Sequence, residues 1–162
     1  MTCLEKSGQQ LMSNTPEQAL GKPGVFGLRI GPKITEHLEK LALAYFPVEI
    51  CGILTGRRHG NVYTAYNFHW IPNISEGDEK HHYIMDPQSY FDVIAPVAKN
   101  EFVELVAMFH THPRSAPVPS ETDISCAIKS GENLPYLIYN QNYGFKAWIL
   151  KNDFKEIAIL DQ

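Results

Sequence analysis

The chain predicts an α+β domain with helices packed on a curved, mixed but mostly antiparallel sheet. Three observations carry that expectation. Strand-like segments come in neighbouring pairs joined by short turn sequences, as at Arg58-His59-Gly60-Asn61 and Gln141-Asn142-Tyr143-Gly144. Helical segments are distributed between strands rather than gathered in one block. Finally, 162 residues with 44% apolar content suffice for one core.

The elements follow in order. Val25–Ile30 alternates apolar residues and reads as a first strand. Ile34, Leu38, Leu41, Ala42 and Tyr45 recur at helical spacing over residues 33–46, and Pro47 ends that helix. Glu49–Thr55 is a short apolar strand closed by Gly56, and Asn61–Ile71, rich in Val, Tyr, Phe and Trp, is its antiparallel partner. Residues 73–80 form a polar, flexible loop, and His82–Met85 a brief strand. Asp86 before Pro87 has the pattern of an N-cap followed by proline at the first helical position. That helix runs to about Asn100 unless Pro96 kinks or stops it. Val103–Thr111 is an apolar strand, followed by a loop stiffened by Pro113, Pro117 and Pro119. Ser120-Glu121-Thr122-Asp123 is a capping box that opens helix 121–130, which Gly131 ends. Pro135–Asn140, Phe145–Leu150 and Phe154–Leu160 are the last strands.

Composition excludes several classes. A formal charge of −4 implies no broad basic surface, so no nucleic-acid partner is expected. No apolar run is long enough to span a bilayer, and the N-terminus lacks a basic start followed by an apolar stretch, so neither membrane insertion nor a signal peptide is expected. Residues 1–24 are polar and rich in Gln, Ser, Asn, Gly and Pro, and read as a mobile arm ahead of a domain over 25–162. Three cysteines do not make a disulfide framework. Cys51 and Cys126 sit in apolar surroundings and read as buried free thiols, which fits a reducing, cytoplasmic setting.

The chemistry concentrates in His110-Thr111-His112, followed by Ser120 and Asp123. Histidines one residue apart on a strand point to the same face. The stiff loop then returns the chain so that the first helical turn, with Asp123 at N3, faces them. Two imidazole nitrogens and one carboxylate oxygen form a three-ligand set that leaves a fourth position open on Zn²⁺, as in catalytic zinc sites. Asp123 could serve as a helix cap alone, since the helix dipole favours a carboxylate there. Glu49 lies inside an apolar run, where a carboxylate is costly without a partner or a task. It is the candidate to accept a proton from the zinc-activated water and hand it to the leaving amine. Ser120 has two readings, helix N-cap or hydroxyl donor to an oxyanion. His81-His82 and the acidic residues Glu76, Asp78 and Glu79 read as solvated loop, Arg57 and Arg58 as surface, and Phe68, Trp70 and Tyr83 as core or rim.

Glu49, His110-Thr111-His112-Pro113, Ser120 and Asp123 together resemble the JAMM motif, E…H-S/T-H-x7-S-x2-D, of the JAMM (MPN+/JAB) zinc isopeptidases. The context Pro47-Val48-Glu49-Ile50-Cys51-Gly52-Ile53-Leu54 is similar to the glutamate strand of bacterial stand-alone members, and the resemblance covers about residues 25–160. It implies a cytidine deaminase-like α/β/α sandwich. It also implies one Zn²⁺ on His110, His112 and Asp123, with Glu49 as general acid/base and Ser120 as oxyanion stabiliser. The implied activity is hydrolysis after the C-terminal glycine of a ubiquitin-like protein, as deconjugation or precursor processing. The implied partner is that protein's extended tail, gripped by loop 73–83, which orders on binding. The absence of a long insertion between helix 121–130 and the last hairpin argues against linkage-specific polyubiquitin cleavage. Stand-alone bacterial members process ubiquitin-like or sulfur-carrier proteins, sometimes beside activating and conjugating enzymes in antiphage operons. Trimming of a sulfur-carrier tail is thus an alternative, as is a non-catalytic scaffold of the same fold, against which the intact motif speaks. A DNA-repair-associated branch carries a similar motif, but residues 1–24 leave no room for its N-terminal helical module.

Overall fold

The computed structural model describes residues 26–77, 79–131 and 133–161. The arm expected over 1–24 lies outside them. The elements run β1 (Gly27–Arg29), α1 (Pro32–Tyr45), β2 (Cys51–His59), β3 (Val62–Ile71), α2 (Pro87–Val97), β4 (Glu104–Thr111), α3 (Glu121–Ser130), β5 (Pro135–Asn140), β6 (Gly144–Leu150) and β7 (Phe154–Leu160). All seven strands join in one closed sheet, in the order β1-β3-β2-β4-β5-β6-β7. The pairs β2–β3, β2–β4, β5–β6 and β6–β7 are antiparallel, and β1–β3, β1–β7 and β4–β5 are parallel. The sheet is therefore mixed with an antiparallel majority, as the sequence predicts. The sandwich implied by resemblance is replaced by closure. Three-residue β1 makes the difference, because its two edges pair with β3 and β7 at once and leave no open layer.

Leu28, Leu38, Leu54, Val106, Phe109 and Leu137 are fully buried in a single core, to which α1 contributes Leu38 with Ile34, Leu41 and Ala42 packed alongside. Burial of such side chains is the main stabilising term, at about 1.5–3 kcal/mol each. No helix among the described residues is long and apolar enough to cross a membrane.

Several boundaries differ from expectation for local reasons. Strand β2 does not stop at Gly56 but continues to His59, paired with Val62. The register slips at Thr55/Gly56 against β3 and at Leu54/Thr55 against β4, so Gly56 occupies a bulge rather than a terminus. A Cβ at Gly56 would overlap the carbonyl oxygen of Thr64. Gly56→Ala is therefore expected to destabilise by about 1–3 kcal/mol, read as a lower urea midpoint. His82–Met85 forms no strand, only a single bridge from Met85 to Asn73. The Asn73 side chain takes the place of a ladder: its Oδ1 accepts from the Ser75 and Ile84 amides, and its Nδ2 donates to the carbonyls of Glu49 and His82. The loop after β3 is thus tied at its base to the segment carrying Glu49, where the sequence suggests only a flexible polar stretch. Helix α2 starts as predicted, with Asp86 accepting from the Ser89 amide, but ends at Val97, one residue after Pro96. Helix α3 forms with both bonds of its capping box and with Gly131 left-handed at its end (φ +67°). Its buried residues are Asp123 and Ala127, one turn apart, so Cys126 lies off that face and is exposed, contrary to the buried thiol expected. Cys51 is buried as expected, and burial, then the Glu49 charge, pushes its thiol up to about 12.

Candidate metal centre

Strand pairing brings distant motif residues together. Antiparallel β2 and β4 pair Cys51 with His110. Beyond the formal strand end, the Thr111 amide donates to the Ile50 carbonyl at 3.0 Å, and the Ile50 amide donates to the Thr111 hydroxyl at 3.0 Å. This double link draws the extended segment before β2 alongside the end of β4. Glu49 therefore stands beside His112, with which it interacts electrostatically, although 63 positions separate them in the chain. Glu49 itself is buried (5% exposed). The Thr111 hydroxyl has a structural task, accepting the Ile50 amide.

His110, His112 and Asp123 converge. His110 is fully buried and the other two nearly so. The two Nε2 atoms are 3.0 Å apart, His110 Nε2 is 3.4 Å from Asp123 Oδ1, and His112 Nε2 is 3.5 Å from Asp123 Oδ2. These three residues form a group able to hold a metal ion. Ligand atoms about 2.0–2.1 Å from a tetrahedral zinc lie about 3.3 Å from one another; each imidazole is near that distance from a different Asp123 oxygen, and one donor atom from each residue lies within 4.8 Å of the others. The donor chemistry agrees. His112 Nδ1 donates to the Ala116 carbonyl at 2.9 Å, so a neutral His112 turns a bare Nε2 lone pair toward the carboxylate and the other imidazole. A metal ion or a proton shared among these atoms offsets the repulsion of their lone pairs, and a set of two imidazole nitrogens and a carboxylate suits zinc.

The electrostatics follow from burial and contact. Burial lowers the His110 imidazole, outweighing the Asp123 charge. For His112 burial also acts downward, but hydrogen bonds with Asp123 and Ala116 and the charge of Glu49 win and raise it. Burial works to raise the Asp123 carboxyl, yet His110, His112 and Ser120 hold it well below the usual carboxylate range.

Ser120 realises its capping role. Its Oγ accepts from the Asp123 amide at 3.1 Å, and its O–H donates to Asp123 Oδ2 at 2.7 Å, while the Ser120 amide donates to the same oxygen at 2.7 Å. The two readings of Ser120 are less exclusive than the sequence suggests. The oxygen caps the helix through a lone pair, and the O–H reaches another acceptor by rotating away from Asp123 Oδ2.

Supporting residues escaped sequence reasoning. Tyr83 stacks on the His110 ring, with centroids 4.6 Å apart and planes 29° apart. Asn140, buried at the end of β5, donates to the carbonyls of His112 (2.6 Å) and Ser115 (2.9 Å) and accepts from the Asn142 amide. Trp148 Nε1 donates to the Pro117 carbonyl at 2.8 Å. Loop 113–119 is thus held by side chains as well as by its prolines. Asn140→Ala is expected to cost about 1–3 kcal/mol, because two carbonyls and an amide lose their partner. Chemical denaturation measures that loss. An asparagine at a strand end gives no sequence signal of such a role. Phe68 proves to be core, edge-on to Phe109, whereas Trp70 is half-exposed against Tyr45.

A cavity of about 350 Å³ opens over the site and is lined by Glu49, Ser120, Asp123, His112, Arg114 and Lys80, with His81 and His82 on its wall. A second, more apolar cavity of about 330 Å³ adjoins it, lined by Ile84, Met85, Tyr90, Met108, Cys126 and Tyr136, and shares His82, Tyr83 and Asp123 with the first. His81 is exposed in its loop, as expected, and both His81 and His82 also lie on the rim of the site.

A closed mixed sheet that presents a His-His-Asp cluster beside a buried glutamate defines a JAB/MPN-type domain. Residues 32–151 match the family described as prokaryotic homologs of the JAB domain, and the chain belongs to that family, the JAMM (MPN+/JAB) class. It is 30% identical to a desampylase of Haloferax volcanii over 127 residues, covering 78% of this chain and 87% of that protein. It is 30% identical to a desampylase of Pyrococcus furiosus over 115 residues, covering 70% of this chain and 76% of that one. Among solved structures it is similar to the solution structure of a Desulfitobacterium hafniense protein, with TM-score 0.72, 25% identity, and coverage of 83% and 92% of the two chains. The crystal structure of a JAB1/MPN domain protein from Archaeoglobus fulgidus shares the fold, with TM-score 0.54 and 16% identity over 82% and 98%. Family and relatives make the chain a hydrolase of the JAMM class.

Proposed function

We propose that this protein is a zinc-dependent isopeptidase that hydrolyses the bond after the C-terminal glycine of a ubiquitin-like protein. The observation that carries the reading is the convergence of His110, His112 and Asp123 into a group able to hold a metal ion, with His112 and Asp123 on the wall of a cavity that Glu49 and Ser120 also line. The desampylase relatives support the same class of bond. His110 Nε2, His112 Nε2 and one Asp123 oxygen would hold a single Zn²⁺. A zinc ion held there would supply Lewis acidity toward the scissile carbonyl and toward a water nucleophile at neutral pH.

The chain's own groups do the rest. Glu49 takes the proton that the attacking water releases and delivers it to the departing nitrogen, which would otherwise leave as an unstable amide anion. Ser120 keeps its lone pair on the Asp123 amide and turns its O–H to the carbonyl oxygen as charge builds there. Thr111 holds Glu49 in reach through Ile50. Tyr83 fixes the plane of His110. The tail, extended by nature, lies along the base of loop 73–83, in the manner of an added strand. The setting is a reducing cytosol, with conjugates supplied by activating and conjugating enzymes encoded nearby.

The test is mass spectrometry of products from two substrates. One is a ubiquitin-like protein with a short peptide after its terminal glycine. The other is the same protein joined by an isopeptide bond to lysine. Cleavage of both after the glycine supports a deconjugating enzyme. Cleavage of the linear extension alone favours the sulfur-carrier trimming reading. Zinc-loaded protein that cleaves neither, yet captures the tail, would make this a binding scaffold.

A further inference from the structure

Two cations stand on the polar cavity without an ion pair among the described residues: Lys80, from the loop after β3, and Arg114, from the loop after β4. Only Glu49 and Asp123 are acidic among the described residues that line it. Their charges are committed, Asp123 to the two imidazoles and Glu49 to the neighbourhood of His112. A bound divalent ion would leave the cavity with net positive charge, with the exposed Lys80 and Arg114 on its lining.

Arg114 is exposed, yet its backbone is fixed. Residues on either side of it are anchored by Asn140 on the His112 and Ser115 carbonyls, by His112 on Ala116 and by Trp148 on Pro117. The guanidinium is thus carried on a stiff support at the mouth of the site, where its planar fork suits a carboxylate. Glu49 lines this cavity and not the apolar one. Because the departing nitrogen must meet Glu49, the leaving group occupies the cavity that Arg114 and Lys80 border. That step rests on the isopeptidase reading above.

We infer that Arg114, assisted by Lys80, is a specificity determinant that selects a carboxylate within one or two residues of the scissile nitrogen. That carboxylate comes either from an acidic side chain flanking the target lysine or from the free α-carboxyl of a released residue.

The experiment uses full-length zinc-loaded protein and ubiquitin as the probe. Ubiquitin is joined through its terminal glycine to the lysine of an Asp-Lys-Asp or an Asn-Lys-Asn peptide, and, separately, to a single alanine as free acid or as amide. Values of kcat/KM are compared for wild type, Arg114→Glu and Lys80→Glu. Wild type is expected to favour the carboxylate member of at least one pair by about tenfold, and Arg114→Glu to reverse that ratio. Preference within the peptide pair identifies an acidic target surface, and preference within the alanine pair identifies a released residue. Ratios within twofold in wild type, or unchanged by Arg114→Glu, overturn the inference. If no ubiquitin conjugate is cleaved, the isopeptidase reading is tested separately with other ubiquitin-like proteins. NMR titration of Glu49→Gln protein with the free Asp and Asn peptides and with alanine and its amide then decides the point. Weaker binding of the carboxylate member in Arg114→Glu sustains the inference, and equal binding refutes it.

Discussion

Glu49→Gln is expected to reduce turnover by about 10²- to 10⁴-fold while zinc content and folding stay intact. The amide keeps the size and the hydrogen-bonding reach of the carboxyl but can neither take nor return a proton. Burial makes the effect large, because bulk water is poorly placed to substitute for a group only 5% exposed. Glutamine is the right replacement. Alanine would open a hole beside Cys51 and His112 and confuse chemistry with packing. Metal analysis, far-UV circular dichroism and kcat measured together check the expectation. Full activity in a folded, zinc-loaded Glu49→Gln protein would remove Glu49 from the mechanism.

Asp123→Ala should lose metal and activity together and should also weaken the fold. The carboxylate serves two masters: Oδ1 faces His110, and Oδ2 accepts the Ser120 amide and hydroxyl. Deleting it removes one ligand of three and half of the capping box of α3, the second loss costing about 0.5–2 kcal/mol. Asp123→Asn separates the two roles. Its amide oxygen can still accept from Ser120, so stability should largely return, while the lost charge leaves zinc weakly held. Zinc affinity and the urea midpoint measured on both variants test this. Equal stability of the Ala and Asn forms would contradict the capping role.

The motif was legible because much of its logic is local. His110 and His112 share a face by strand alternation, and Ser120 with Asp123 forms a capping box within four residues. Glu49 announced itself as a carboxylate in an apolar run. What sequence could not supply was the pairing between β2 and β4 that brings Glu49 to His112, since register between distant strands is set by the whole sheet. Closure through β1 was hidden for the same reason, because the alternation over residues 25–30 marks a strand but not the two strands it pairs with. The roles of Asn73 and Asn140 were invisible because a side chain that bonds to remote backbone carbonyls leaves no periodicity behind. Gly56 misled because glycine marks both strand ends and bulges. Cys126 misled because apolar neighbours in sequence are not neighbours in space on a helix.

The measurement that tests the account most directly is a titration of metal-free protein with zinc, followed by turnover of a ubiquitin-like fusion cleaved after its terminal glycine. With His110, His112 and Asp123 as one ligand set, activity should be absent without metal, rise linearly, and level off at one zinc per chain. Undiminished cleavage by the metal-free protein, or a plateau reached only at two zincs per chain, would contradict it.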